Sequence, residues 1–242
     1  MLEIRHERKV ETSATQEAYN QMFNQGALGQ RDSYYLWLLE KLKPEPGKWL
    51  LDISCGNGRL VTLAQQCGLR AVGMDFARDG VQQGRAATPQ AGWGVANGEQ
   101  LPVANESIDY ITHLGSLEHY LSPKAGAREI GRVLKPGGRA CILLPNAYGL
   151  FGNISYVRKT GEIFDDGQPL QRYATRQTWA HLLAQGGLRV VQTLGYGEVE
   201  WPRTRHDARW FFTHPLKVIR FLVSFCVPLN LSYQLVFLCV RK

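Results

Sequence analysis

Leu50-Leu51-Asp52-Ile53-Ser54-Cys55-Gly56-Asn57-Gly58-Arg59-Leu60 is the stretch on which the fold turns. An apolar run ends in an acid, a loop of small residues follows, and a helical pattern opens with Leu60, Leu63 and Ala64 on one face. Gly56 and Gly58 allow the backbone to come close to a ligand, and the helix start offers unpaired N–H groups. A lone G-x-G is weak evidence, because tight turns need glycine for their own reasons. What surrounds it decides.

Working outward, strand-like runs alternate with helix-like runs. Strands are expected at 49–53, 71–75, 92–96, 107–113, 139–144, 188–194 and 233–240, and helices at 59–67, 77–87, 124–134 and 175–185. Such βα alternation implies a parallel sheet with helices on both faces. Three pieces stand outside it. Residues 1–43 read as two helices, 146–174 is too long for a plain βα loop, and 195–232 is an insertion rich in Trp, Arg and Phe. The whole reads as one domain, with a cofactor-binding core at 45–145 between an N-terminal cap, a cap insertion at 146–174 and a C-terminal part from 175. No repeat or low-complexity tract is evident.

Composition narrows the classes. The 242 residues are 44% hydrophobic and 20% charged, which excludes a disordered chain. The charged start of the sequence lacks the apolar run of a secretory leader. Five scattered cysteines, none in a C-x-x-C pair, argue against a disulfide scaffold or zinc ribbon and for a reducing, cytoplasmic setting. The net charge of +7 is concentrated late: residues 1–145 hold 16 Lys+Arg against 15 Asp+Glu, and residues 146–242 hold 12 against 6. That surplus is either a solvated face or a surface turned toward something anionic.

Asp75 ends the second strand, V-G-M-D-F, where an acid can reach ribose hydroxyls across the switch point of the sheet. A nicotinamide enzyme would want such an acid too. Its G-x-G-x-x-G fingerprint, however, needs glycine where Val61 stands, and its pyrophosphate would be repelled by Asp52. A cationic nucleoside without phosphate, S-adenosylmethionine, suits Asp52 better.

Four motifs in order carry a family resemblance: D-I-S-C-G-N-G (52–58), V-G-M-D-F (72–76), N-G-E-Q-L-P-V (97–103) with E-S-I-D (106–109), and G-S-L-E-H-Y (115–120) with R-V-L-K-P-G-G-R (132–139). Over about residues 45–145 the chain resembles the class I S-adenosylmethionine-dependent methyltransferases, in the small-molecule branch with the ubiquinone and menaquinone biosynthesis enzymes. The resemblance implies a Rossmann-like seven-stranded, mostly parallel sheet with an antiparallel last strand. It implies that Asp52, Ser54, Cys55, Gly56 and Gly58 lie around the methionine part of the cofactor. Asp75 would bind the ribose, Phe76 would lie on the adenine, Asn97, Gly98 and Glu99 would read its edge, and Leu114 would flank the sulfonium. Two departures stand out: Ser54 replaces the usual first loop glycine, and Asn97 replaces an acid. The product would be S-adenosylhomocysteine.

Methyl transfer from a sulfonium needs alignment above all, and a base only for an unactivated acceptor. No triad or metal cluster is called for. His119 in S-L-E-H-Y is the first candidate base and His113 the second. Substrate contacts are expected from Tyr19, Tyr148, Phe151, Tyr156, Arg158, Arg172 and Tyr173. Nucleic acid is disfavoured as a partner, since L-G-S-L-E-H stands where the nucleic-acid enzymes resemble [DN]-P-P-[YF]. The acceptor is therefore a small molecule, soluble or lipid-linked. The competing reading is a cofactor-binding sensor or partner module without turnover. The apolar segment 221–240 contains Pro228 and Asn230 and reads as a short helix, a turn and a strand rather than a membrane span. The insertion before it, with Arg203, Arg205, Arg209, Lys217 and Arg220 among aromatics, either packs on the sheet edge with its arginines in solvent or touches a membrane surface. The first is the expectation.

Overall fold

The computed structural model describes residues 1–5, 12–24, 29–197 and 199–242. Its elements run in the order β1 (Leu2–Arg5), α1 (Thr12–Asn24), α2 (Asp32–Leu42), β2 (Trp49–Ile53), α3 (Arg59–Gln66), β3 (Arg70–Asp75), α4 (Arg78–Ala87), β4 (Gly92–Val95), β5 (Ile108–Leu114), α5 (Pro123–Val133) and β6 (Leu134–Pro145). Then come α6 (Ser155–Thr160), β7 (Leu170–Tyr173), α7 (Arg176–Gln185), β8 (Leu188–Tyr196), α8 (Arg205–Thr213), α9 (Pro215–Ser224) and β9 (Gln234–Arg241).

Seven strands form one sheet in the order β4-β3-β2-β5-β6-β9-β8. The pairs β2–β3, β2–β5, β3–β4 and β5–β6 are parallel, while β9 runs antiparallel to both β6 and β8. Side chains alternate across it, as strand geometry demands. Leu50 and Val236 pack with Leu38, Leu42, Leu60 and Val61 from α2 and α3. Their sequence neighbours Leu51 and Phe237 pack on the other face with Ile130, Val133, Trp179 and Leu183 from α5 and α7. Three helices begin at side-chain caps: the Ser122 hydroxyl accepts from the Ala125 amide, Thr175 from Thr178, and Thr204 from Asp207.

The structure departs from the sequence expectations in three places. The N-terminal 43 residues contain a strand as well as two helices. β1 pairs antiparallel with β7, Leu2 opposite Tyr173. That pairing joins segments about 170 residues apart, which no local pattern announces. The fifth large strand starts at Leu134 rather than Arg139; Leu134 pairs with Ile108 before a register shift at the Pro136-Gly137-Gly138 turn. The third departure is the insertion. It packs only in part: Trp201, Phe211 and Phe221 form a small cluster, and Asp207 accepts hydrogen bonds from the Ser33 hydroxyl and amide of α2. As expected, Arg203, Arg205 and Arg209 lie exposed, but the outer surface also carries exposed apolar side chains, Phe212 at 88% and Leu216 at 80%. Arg220 turns inward over the rings of Phe151 and Tyr233.

Candidate functional site

β2, β3 and β5 end side by side, and their C-terminal ends open into a cavity of about 360 Å³. A cavity at the carboxyl edge of a parallel sheet, beside the point where strand order reverses, is where this architecture holds ligands. Asp52, Ser54, Cys55, Gly56, Asp75, Phe76, Asn97, Gly98, Glu99 and Leu114 all line it. Gly58 does not. It has φ +72°, and a Cβ there would sit 2.0 Å from the Trp93 ring. Gly58 thus serves the turn and the packing of Trp93, whose indole N–H donates to the Thr88 carbonyl.

Asp52 and Asp75 are both buried. One Asp75 oxygen accepts from the Gly56 amide and the other from the Ala77 amide, each at 2.7 Å, so this carboxyl fixes the loop. A carboxylate has about four acceptor positions, so lone pairs remain for a ligand. Burial pushes Asp75 above its usual range against the pull of those amides. Asp52 accepts from the Thr112 hydroxyl at 2.6 Å. Burial raises it to about 7; the Thr112 bond opposes that and nearby Asp75 adds to it. Two buried acids facing one cavity favour a cationic occupant.

Ser54 adopts φ +57°, a left-handed conformation that costs a non-glycine residue energy. Its hydroxyl lies 2.9 Å from the Tyr120 phenol, which lies 2.9 Å from His113 Nε2. Tyr120 also lines the cavity, and sequence reasoning did not single it out. His113 does not reach the cavity: it is fully buried, and desolvation holds it down to about 3, so it stays neutral.

His119 does reach it, at the junction with a second cavity. Its Nδ1–H donates to the Leu170 carbonyl at 2.5 Å, which fixes the tautomer and leaves the Nε2 lone pair free to take a proton. Burial lowers its pKa, keeping it neutral.

The substrate candidates separate. Tyr19 lines the first cavity from α1, a helix held over it by Gln16 donating to the Phe76 carbonyl and Asn20 accepting from the Asp79 amide. Phe151, Tyr156 and Tyr173 line the second. Tyr148, 56% exposed, and the exposed Arg158 line neither. Arg172 is buried and occupied: it pairs with Glu3 and donates to the carbonyls of Glu118, Tyr120 and Leu121. Gln30, Tyr35, Gln168 and Gln234 also line the first cavity without having been signalled by any motif.

The fold and this cavity define a class: a Rossmann-like α/β domain with a nucleoside-sized site at its sheet edge. Residues 51–142 match the family model described as a methyltransferase domain. An uncharacterized methyltransferase of Mycobacterium tuberculosis is 30% identical over 146 residues, 60% of this chain and 58% of that relative. A demethylmenaquinone methyltransferase of Corynebacterium kroppenstedtii is 28% identical over 67% of this chain and 73% of that one. The solved S-adenosylmethionine-dependent methyltransferase of Mesorhizobium loti superposes with TM-score 0.64 at 15% identity, covering 86% of this chain and 98% of its own. The geranyl diphosphate C-methyltransferase of Streptomyces coelicolor, solved with Mg²⁺, geranyl diphosphate and S-adenosylhomocysteine, superposes with TM-score 0.62 at 14% identity over 87% and 79%. Residues 51–142 thus match the methyltransferase-domain family, and the chain as a whole shares the fold of S-adenosylmethionine-dependent methyltransferases.

Proposed function

We propose that this protein transfers a methyl group from S-adenosylmethionine to a small-molecule or lipid-linked acceptor. The observation that carries the reading is the pair of buried acids, Asp52 and Asp75, at adjacent strand ends on one cavity. The residues present fit the cofactor. Asp52 offers a carboxylate to its cationic part, Asp75 has lone pairs for ribose hydroxyls, Phe76 offers a ring to adenine, and Asn97, Gly98 and Glu99 line the remaining wall. When bound, the cofactor would supply an electrophilic methyl, its C–S electron pair staying on sulfur as the acceptor's lone pair bonds to the carbon, with S-adenosylhomocysteine as product. His119 Nε2 takes the acceptor's proton where the acceptor must lose one. Calorimetry with S-adenosylhomocysteine, then transfer of radiolabelled methyl to small-molecule and lipid extracts, tests this. No binding sinks the reading; binding without transfer to either extract turns it into the sensor or partner module.

The lipid-linked branch is supported by α8 and α9. Phe212, Leu216, Ile219, Leu222, Val223 and Phe225 are exposed together, and residues 203–225 carry five Lys+Arg against one acid, the buried Asp207. An exposed apolar helix face bordered by basic side chains matches an anionic bilayer surface. No helix among the described residues is long and apolar enough to cross a membrane, so contact would be peripheral. The protein should co-sediment with phosphatidylcholine–phosphatidylglycerol vesicles at low salt and release as salt rises, since each basic residue at such a surface contributes about 1 kcal/mol. Leu216→Gln with Phe212→Ser should abolish the association. If the unaltered protein ignores these vesicles at low salt, the acceptor is met in solution.

A further inference from the structure

The second cavity, about 470 Å³, meets the first at Gly115, His119, Gln168 and Gln234. Three side chains that line it are each more than nine-tenths buried and each keeps a polar atom without a partner: Glu118 Oε2, Asn153 Nδ2 and Gln171 Oε1. Buried polar groups are normally paired, so an orphan calls for an explanation, and a bound molecule is one. Here the three orphans belong to side chains from three separate segments that line one cavity: the turn after β5, the turn before α6, and β7. Asn153 Oδ1 accepts from the Phe164 amide, while its Nδ2 has no partner. The Arg172 guanidinium donates to the Glu118 backbone carbonyl, while the Glu118 carboxyl has His119 Nε2 3.8 Å from Oε1 and no partner at Oε2.

The chemistry of this wall is lopsided. Glu118 and Gln171 offer acceptor oxygens, and His119 Nε2 offers a lone pair. Asp166 adds a second carboxylate, bonded to Gln168. Against these stand the Asn153 amide and the exposed Lys159. Between them lie the rings of Tyr156 and Phe164, edge to face at 5.3 Å, with Tyr173 and Tyr233. Acceptors and aromatic faces together recognise a positively charged hydrogen-bond donor and oppose a carboxylate.

Resting on the methyltransferase reading above, we propose that the second cavity is the acceptor chamber and that it takes a compact aromatic or alkyl amine, its ammonium held by Glu118 and Gln171 and its apolar body against Tyr156 and Phe164. Before the nitrogen can act as a nucleophile it must lose one ammonium proton. His119 Nε2 is the group at the junction that can accept it and pass it to solvent. Burial pushes the Glu118 carboxyl up to about 8 in the free protein. A cation beside it lowers that value, so binding the ammonium releases a proton from Glu118 at neutral pH.

The test uses the full chain saturated with S-adenosylhomocysteine, titrated with 2-phenylethylamine, 2-phenylethanol and 3-phenylpropanoate, three probes that share one body. The amine is expected to bind at least roughly tenfold more tightly than the other two, the scale of a charge-assisted hydrogen bond. Glu118→Gln should erase that preference while leaving S-adenosylhomocysteine affinity unchanged, and Gln171→Met should weaken the amine severalfold. Equal binding of the alcohol or the carboxylate, no saturable amine binding, or an amine preference that survives Glu118→Gln overturns the proposal. Should Glu118→Gln fail to fold, the ranking of the three probes on the unaltered protein decides. Failure of the first step, S-adenosylhomocysteine binding, brings down the methyltransferase reading; its success without amine selectivity brings down the chamber alone.

Discussion

The two cavities that meet at His119 are built on opposite plans. The first is made of strand ends, one tight loop and backbone amides, and its acids are already engaged: Asp75 by Gly56 and Ala77, Asp52 by Thr112. The second is made of side chains from the 146–174 insertion and the turn after β5, and three of its polar atoms have no partner. A site whose polar groups hold each other is pre-organised and tolerates one ligand class across many relatives. A site with orphaned groups leaves its specificity to the ligand. The contrast is the one the proposed division into cofactor site and acceptor chamber requires.

The strongest break between the two halves lies at their junction. His119→Ala should cut turnover on any acceptor that needs deprotonation by about 10²–10⁴, with S-adenosylhomocysteine affinity near that of the unaltered protein. Steady-state kinetics beside calorimetry checks it. A small loss would mean an acceptor already nucleophilic at neutral pH, with alignment doing the work.

On the cofactor side, Asp75→Ala removes charge-assisted hydrogen bonds worth about 1.5–3 kcal/mol each and frees the Gly56 loop it holds. S-adenosylhomocysteine should bind on the order of 10²-fold more weakly, whereas 2-phenylethylamine binding in the second cavity should change little. Unchanged calorimetric affinity for S-adenosylhomocysteine would overturn the role of this acid.

Gly58→Ala probes a residue that looks like part of the cofactor loop and packs like part of the core. The left-handed backbone and the Trp93 ring 2.0 Å from the added Cβ should cost roughly 2–4 kcal/mol of stability. Urea unfolding reads this directly; a stability loss below about 0.5 kcal/mol would show that the ring moves aside freely.

The smallest effect is a pH dependence confined to the first cavity. Asp52 sits near 7 in the free protein, and a cation favours its ionised form. S-adenosylmethionine affinity should therefore be full above pH 7 and fall as pH drops through 7 toward 6, by up to roughly tenfold. Binding near pH 6 should release up to about one proton, read from calorimetry in buffers of different ionisation enthalpy. A flat profile from pH 6 to 8 would show that Asp52 does not face the cationic part.

Much of the cofactor half was legible because its signals are local. Leu50–Leu60 states a strand, a turn and a helix in eleven residues, and Asp75 and Asn97–Glu99 sit at strand ends whose position follows from strand periodicity. The acceptor half was not. Arg172 and Tyr173 are neighbours in sequence, yet Arg172 is used up on backbone carbonyls while Tyr173 lines a cavity, because successive strand residues face opposite ways. Glu118 stood beside His119 in the same motif and carried no signal, since its isolation is a matter of burial.

The sequence by itself determined the seven strands of the main sheet and the helices between them, the acid-ended loop after β2, and the basic, aromatic character of the last third of the chain. These follow from periodicity, turn chemistry and charge, which act over a few residues. Tertiary structure alone decided that β1 closes on β7, that Gly58 belongs to Trp93 while Gly56 faces the cavity, that His119 and not His113 reaches open space, and that α8 and α9 turn their apolar side outward. Each of those depends on which distant segment occupies the neighbouring volume, and burial, pairing and proton affinity are properties of that neighbourhood rather than of the residue.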